Sequence, residues 1–186
     1  MTQGEVREMV WTALARHHAA TYPLPPHGHH PNFVGASRAA ERLMRLPLWH
    51  KAQVVLAGLD QVLKPLREAA MKSGKTVLIP HPDRAGRYLS LKGLPPQQLK
   101  RIREAAWLGR PVELEHIPID LVLVGSVAVD EKLGWLGKGY GFPPKNLRVA
   151  APWATLAHTL MVFEALPCEP EGKVDLIATP HQVISI

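Results

Sequence analysis

The run from Ile119 to Val129 reads IDLVLVGSVAV, and it restricts the fold more than any other stretch. A half-buried strand alternates apolar and polar residues, and an amphipathic helix returns to polar every three or four. This run does neither, so it suits a strand covered on both faces. That is the habit of a central strand in a parallel sheet. Parallel neighbours cannot be joined by a tight hairpin and need long crossovers, usually helices. The expectation is an α/β protein, with residues 119–129 as one central strand of a mostly parallel sheet in a three-layer α/β/α arrangement.

The flanking segments agree with that class. EVREMVWTALARHHAA places Val6, Met9, Val10, Ala13 and Leu14 at helical spacing. TYPLPPHGHHPNFVG carries Pro23, Pro25, Pro26 and Pro31, so it suits a rigid arm rather than a helix or central strand. ASRAAERLMRL is a second predicted helix and AQVVLAGL a short buried strand. VLKPLREAAMKSG is predicted as a helix with Pro65 in its first turn and Gly74 as its stop. KTVLIP is the next strand, ending at Pro80. PPQQLKRIREAAWLG opens on prolines and closes on glycine, a helix signature. VELEHI, ATLAHTLMVF, KVDLIAT and QVISI are predicted strands. Strands alternating with helices through the first two-thirds predict one α/β domain over residues 1–186, with residues 1–35 as an N-terminal helix and a Pro/His-rich arm.

Of the 186 residues, 46% are hydrophobic and 20% charged, enough apolar material for a substantial core. No apolar stretch is long enough to span a membrane, and the N-terminal segment lacks a signal peptide's apolar region. Cys168 is the only cysteine, so no internal disulfide forms. A cytoplasmic setting is expected. The net charge of +6 and pI near 9.7 favour anionic partners. Because the basic residues are dispersed, a phosphorylated small molecule is favoured over nucleic acid.

In such folds ligands bind at the carboxyl ends of the strands. Just beyond the apolar run lies GWLGKGYGFPPKN, with Gly137, Lys138, Gly139, Tyr140 and Gly141. Consecutive N–H groups of a glycine-rich turn can converge on an anion, and Lys138 supplies a compact positive charge. The spacing is neither that of a Walker A loop nor that of a dinucleotide fingerprint, so a plain surface turn stands beside the phosphate reading.

IDLVLVGSVAVDEKLGWLGKGYGF resembles the 5-formyltetrahydrofolate cyclo-ligase (5,10-methenyltetrahydrofolate synthetase) family. Gly125, Asp130, Leu136, Gly137, Gly139, Gly141 and Phe142 fall in that family's register. Val10–Trp11, YPLPPHGHHPNF and VDLIATPHQVI are similar to its methenyltetrahydrofolate synthetase domain-containing branch. The resemblance implies a cyclo-ligase-like fold, ATP and Mg2+ as cofactors, and a reduced folate as substrate. In the reaction it implies, the formyl oxygen of 5-formyltetrahydrofolate attacks the γ-phosphate of ATP. It further implies Lys138 as the catalytic phosphate contact, residues Gly137 to Gly141 with Arg7 around ATP, Asp60, Pro80 and Phe142 near the folate, and Glu171 as a metal ligand. Tyr140 stands where the family carries a second loop lysine, Pro143 where it has a second aromatic, and Pro144 where it has a metal-binding aspartate. These departures bear on turnover. The readings carried forward are an active cyclo-ligase, a folate- or nucleotide-binding homologue without catalysis, and an RNA-binding or regulatory protein on the same fold.

Other features carry two readings each. Trp135, just before the loop, can stack on a pterin or pack in the core; Trp107 and Trp153 carry the same pair of readings. His27, His29 and His30 can hold a transition metal or form a polar loop. Asp130 and Glu131 suit metal binding or capping, and Cys168 suits a small packing residue. Lys100, Arg101 and Arg103 are expected on a solvated helix face.

Overall fold

The computed structural model describes residues 1–185. Its centre is an eight-stranded sheet in the order β14-β13-β10-β7-β3-β4-β5-β6. The strands are β3 (Val54–Ala57), β4 (Thr76–Pro80), β5 (Tyr88–Ser90), β6 (Arg110–Val112), β7 (Leu121–Val124), β10 (Trp153–Leu156), β13 (Leu176–Ala178) and β14 (Val183–Ser185). β13, β10, β7, β3 and β4 run parallel, and antiparallel pairs close both edges. The α/β class and the mostly parallel sheet predicted from the apolar run are thus present. Val55, Leu56, Val77, Leu78 and Leu121 to Leu123 are fully buried, as a strand covered on both faces requires.

α1 (Gln3–Arg16) begins in a capping box: the Thr2 hydroxyl accepts from the Glu5 N–H and the Glu5 carboxylate from the Thr2 N–H. Its buried stripe is Val6, Val10, Trp11 and Leu14. The arm that follows pairs β1 (Ala20–Thr21) with β2 (Asn32–Phe33), antiparallel. α2 (Ala36–Met44) packs on β10 and β13, with a short α3 (Pro47–Lys51) after it. α4 (Lys64–Lys72) carries Pro65 at its start and ends before Gly74, whose φ is +86°.

Three expectations need correction. First, residues 119–129 are not one strand. β7 stops at Val124, and β8 (Ala128–Asp130) joins a second sheet ordered β11-β8-β9-β12, with β9 (Gly134–Leu136), β11 (Val162–Phe163) and β12 (Gly172–Lys173). The ladder ends because the Gly125 carbonyl is taken by the Trp135 indole N–H at 3.0 Å and the Val127 N–H by the Leu136 carbonyl. ATLAHTLMVF and KVDLIAT divide between the two sheets in the same way. Second, PPQQLKRIREAAWLG is not one helix. It forms a 3-10 turn at Pro96–Gln98 and a second at Ile102–Glu104 that runs into the single-turn α5 (Ala105–Leu108). Ser90 and Arg110, which bracket it, face each other across the β5–β6 pair. A straight helix of that length, roughly 22 Å, would carry the chain away from its own partner strand. Third, VELEHI contributes only the end of β6, and Leu114–His116 is a 3-10 turn. Of QVISI, Ile186 lies outside the described residues.

Candidate functional site

The carboxyl ends of β3 and β4 and the glycine loop after β9 meet at one end of the sheet. β3 runs into Leu59 and Asp60, and β4 closes on Pro80. With Lys138, Gly141, Phe142 and Tyr88 these line a cleft of about 480 Å³. A smaller hollow of about 150 Å³ continues from it over Gly139, Tyr140 and Pro143 to Glu171 and His30. Beyond that, a groove of about 300 Å³ is bordered by Trp135, Lys145, Arg148, Trp153 and Lys173. Ligand sites of this size are typical for small molecules.

The Asp60 turn is held from beneath by Arg67. Its Nη1 donates to the carbonyls of Gly58 and Asp60, both at 2.8 Å. The Asp60 carboxylate faces the other way. Its Oδ1 lies 3.1 Å from His30 Nδ1 and 4.0 Å from Lys138 Nζ. His30 is nearly inaccessible, and its Nε2 accepts the Lys138 N–H at 3.1 Å. An acceptor at Nε2 places the ring proton on Nδ1, which therefore donates to Asp60. One histidine thus ties the glycine loop to the Asp60 turn. Burial pushes the Asp60 carboxyl up, but the His30 ring and its hydrogen bond, with Lys138 and Arg67 nearby, outweigh it. The carboxyl is held below its ordinary value of 3.8.

Arg7 and Glu171 clamp the other flank of the loop. Arg7 Nε donates to the Gly137 carbonyl at 2.7 Å, and its Nη2 pairs with Glu171 Oε1 at 3.0 Å. The same Oε1 accepts the Gly137 N–H at 2.9 Å. The glycines then have explanations within the protein. A Cβ on Gly137 would lie 2.4 Å from the Trp135 ring. Gly139 has a φ of +96°, and a Cβ there would press on the Arg7 guanidinium at 3.1 Å. Tyr140 donates to the Gly28 carbonyl, and Lys138 Nζ sits 4.6 Å from the centre of its ring. Phe142 meets Tyr88 edge-on at 6.3 Å along the cleft wall. Trp135 is buried, with its indole N–H spent on Gly125.

The residues singled out from sequence therefore converge: Arg7, Asp60, Pro80, Trp135, the loop from Gly137 to Phe142, and Glu171 share one end of the fold. The carboxylates there do not fit a resident magnesium ion. Glu171 Oε1 is engaged by Arg7 and Gly137, Asp60 by His30, and Pro144 offers no oxygen side chain. Among the described residues no three metal-ligating side chains converge. The histidines of the arm part company: His27 lies 3.8 Å from Glu8, the His29 carbonyl accepts from Trp11, and His30 turns inward. Asp130 accepts the N–H groups of Lys132, Gly134 and Leu166, a turn-capping role. Burial pushes the Cys168 thiol up, opposite to what a nucleophile needs.

Sequence reasoning missed two residues. In the sequence His30 stands out only as one of a histidine cluster. Arg67 carries a legible signal, because its spacing sets it with Leu66 and Ala70 on the buried stripe of the helix.

Known proteins resemble this chain in sequence and in fold. Methenyltetrahydrofolate synthase domain-containing proteins of Bos taurus and Mus musculus are 33% and 32% identical over the whole chain. The chain spans only about half their length (54% and 55%). In structure it is similar to the Aquifex aeolicus 5,10-methenyltetrahydrofolate synthetase, with a TM-score of 0.68 at 21% identity, covering 100% of this chain and 93% of that one. The Mycoplasma pneumoniae 5,10-methenyltetrahydrofolate synthetase gives a TM-score of 0.53 at 13% identity, covering 96% and 98%. The model of the 5-formyltetrahydrofolate cyclo-ligase family matches residues 3–180. With nearly its whole length matched, the chain belongs to that family.

Proposed function

We propose that this end of the sheet binds ATP and a reduced folate, and that it converts 5-formyltetrahydrofolate to 5,10-methenyltetrahydrofolate slowly. The observation carrying the proposal is the junction of Lys138 with the Asp60 cleft: the loop that would hold phosphate also forms one wall of the larger cleft. In this reading the triphosphate lies along the glycine loop, with its nucleoside in the groove edged by Lys145, Arg148 and Lys173. The pterin occupies the cleft between Pro80, Phe142 and Asp60.

The reaction needs no enzyme nucleophile. The formyl oxygen attacks the γ-phosphorus and ADP leaves. The second folate nitrogen then attacks the activated formyl carbon and gives up its proton, the carbon–oxygen bond breaks, and phosphate departs as the ring closes. The protein contributes alignment and charge stabilisation. Lys138 Nζ faces the transferring group, and Asp60, ionised at neutral pH, orients a folate N–H donor. The clamp of Arg7 on the Gly137 carbonyl keeps the loop in place. Such transfers gather charge on the γ-phosphate oxygens. Tyr140 and Pro144 replace a cation and a carboxylate that would act there, and Arg7 spends its charge on Glu171, which supports slow turnover.

These same substitutions favour a second reading, a folate- and ATP-binding homologue without turnover. The test is direct. The purified chain is incubated with ATP, magnesium and 5-formyltetrahydrofolate, while phosphate release and near-ultraviolet absorbance of the methenyl product are followed. Titration calorimetry measures binding of each ligand. Slow folate-dependent phosphate release supports the first reading. Binding without release supports the second, and failure of both ligands to bind refutes both.

A further inference from the structure

Outside the loop, the side chain that asks most for an explanation is Arg67. It is 5% exposed, and the Asp60 and Glu68 carboxylates act on its charge through space rather than by a direct hydrogen bond. Its Nη1 is spent on the Gly58 and Asp60 carbonyls, while the Asp60 carboxylate points to His30 and Lys138. A guanidinium has five N–H donors in a fixed fork. The edge made by Nε and Nη2 has no protein acceptor among the described residues. Burial lowers the pKa only to about 10, so the group stays charged at neutral pH.

Arg67 lines a cavity of about 240 Å³ between α4 and the segment that follows β5, separate from the cleft of the glycine loop. Three more cations, Lys64, Lys100 and Arg101, border it. The single acidic neighbour, Glu68, is half-exposed and 3.8 Å from Lys64. The cavity is therefore strongly electropositive. Its remaining wall is apolar, with Met71, Leu91 and Leu99 prominent. Asp60 and Glu68 offset the Arg67 charge only through space, so the donor edge that faces the cavity is open to an anion.

We infer that this cavity is a binding site for a small carboxylate with an apolar body, the carboxylate seated on the free edge of Arg67. The paired donors of that edge match the two oxygens of a carboxylate, which a lysine cannot do. Lys64, Lys100 and Arg101 supply the surrounding field, and Met71, Leu91 and Leu99 take the apolar part. Through Nη1 the same guanidinium holds the Asp60 turn, so the two sites share one side chain. The inference stands on the cavity alone and does not need ATP or folate to bind elsewhere.

The experiment titrates the isotope-labelled full chain with sodium benzoate, and separately with sodium phosphate at matched ionic strength, following amide and arginine Nε–H resonances. Benzoate should give saturable shifts at Arg67 Nε–H and in residues 61–71 and 99–102, leaving Gly137 to Gly141 in place. Replacing both exposed lysines, Lys64→Gln with Lys100→Gln, should weaken binding about fivefold without disturbing the core. Arg67→Lys should abolish saturation; if that variant fails to fold, the lysine pair still decides the matter. Shifts that never saturate, shifts centred on the glycine loop, or an unchanged affinity in the lysine variant overturn the site. Phosphate binding there more tightly than benzoate overturns the carboxylate assignment.

Discussion

Replacing Glu171 by glutamine separates two roles that its position allows. Glu171 and Arg7 are largely buried, with side chains 12% and 14% exposed. At 3.0 Å and an effective dielectric near 20, their gross attraction is about 5–6 kcal/mol. Desolvation of both ions offsets most of it, leaving a net of about 1–2 kcal/mol. Glutamine keeps an oxygen where the Gly137 N–H needs one but leaves the Arg7 charge uncompensated, so Glu171→Gln should lower stability by more than that net amount, about 3–5 kcal/mol, read as a shift in the urea midpoint. Arg7 stays tethered by Nε to the Gly137 carbonyl, yet its charge is no longer neutralised. ATP titrated without magnesium should therefore bind about 3- to 10-fold more tightly to the variant, or about 0.6–1.4 kcal/mol. The assay is calorimetric titration with and without magnesium beside urea unfolding. Unchanged magnesium-free affinity would show that Arg7 does not reach the nucleotide. A loss of affinity confined to the magnesium arm would make Glu171 a metal ligand and refute the reasoning.

Other outcomes follow from the same geometry. Lys138→Ala should weaken ATP binding by about 1–3 kcal/mol, the scale of a lost charge-assisted hydrogen bond, measured by calorimetry. His30→Ala removes the link between the loop and the Asp60 turn and leaves the Lys138 N–H without its acceptor. It should cost about 2–4 kcal/mol in urea unfolding and raise amide exchange at residues 137–141. Asp60 binds its proton more weakly folded than unfolded, so its stabilisation is present above the ordinary value of 3.8 and lost as pH falls through the lowered one. The stability gap between the parent and Asp60→Asn should accordingly be constant near neutrality and shrink below about pH 4. Tyr140→Lys with Pro144→Asp should raise the rate of methenyl-product absorbance more than it tightens ATP, because charge missing from the loop matters most in the transition state.

The parallel core was legible because burial on two faces leaves a simple trace: Leu121 to Val124 are apolar without interruption. What was not legible is where such a run stops belonging to one sheet. Nothing local to Gly125 announces that its carbonyl goes to Trp135, ten residues later, and that contact divides the run between two sheets. The segment between β5 and β6 failed for a similar reason. Its prolines and glycine are honest local signals, but the pairing of Ser90 with Arg110 fixes its end points and denies it the length of a helix. Among site residues, Lys138 and the glycines stood out by pattern. His30 did not, because its role is defined by Asp60 and the Lys138 N–H, thirty and more than a hundred residues away.

That difference changes what the glycine pattern is evidence for. A Cβ at Gly137 collides with Trp135 and one at Gly139 presses on Arg7, so the protein's own packing already requires both positions to be bare. Glycines in a loop thus do not by themselves testify to a phosphate. The stronger testimony comes from groups whose arrangement packing does not demand. Burying His30 against an ionised Asp60, rather than an apolar pair, is costly unless the geometry serves something else. Lys138 is held 4.0 Å from that carboxylate and over the Tyr140 ring, yet it still lines the cleft. A lysine so restrained has lost much of its rotamer freedom before any ligand arrives, and a pre-ordered cation is what anion binding rewards. In the proposed reading, anion binding by the loop therefore rests on Lys138 and the His30–Asp60 link beneath it, with the glycines as the backbone condition that lets Arg7 and Trp135 hold them in place.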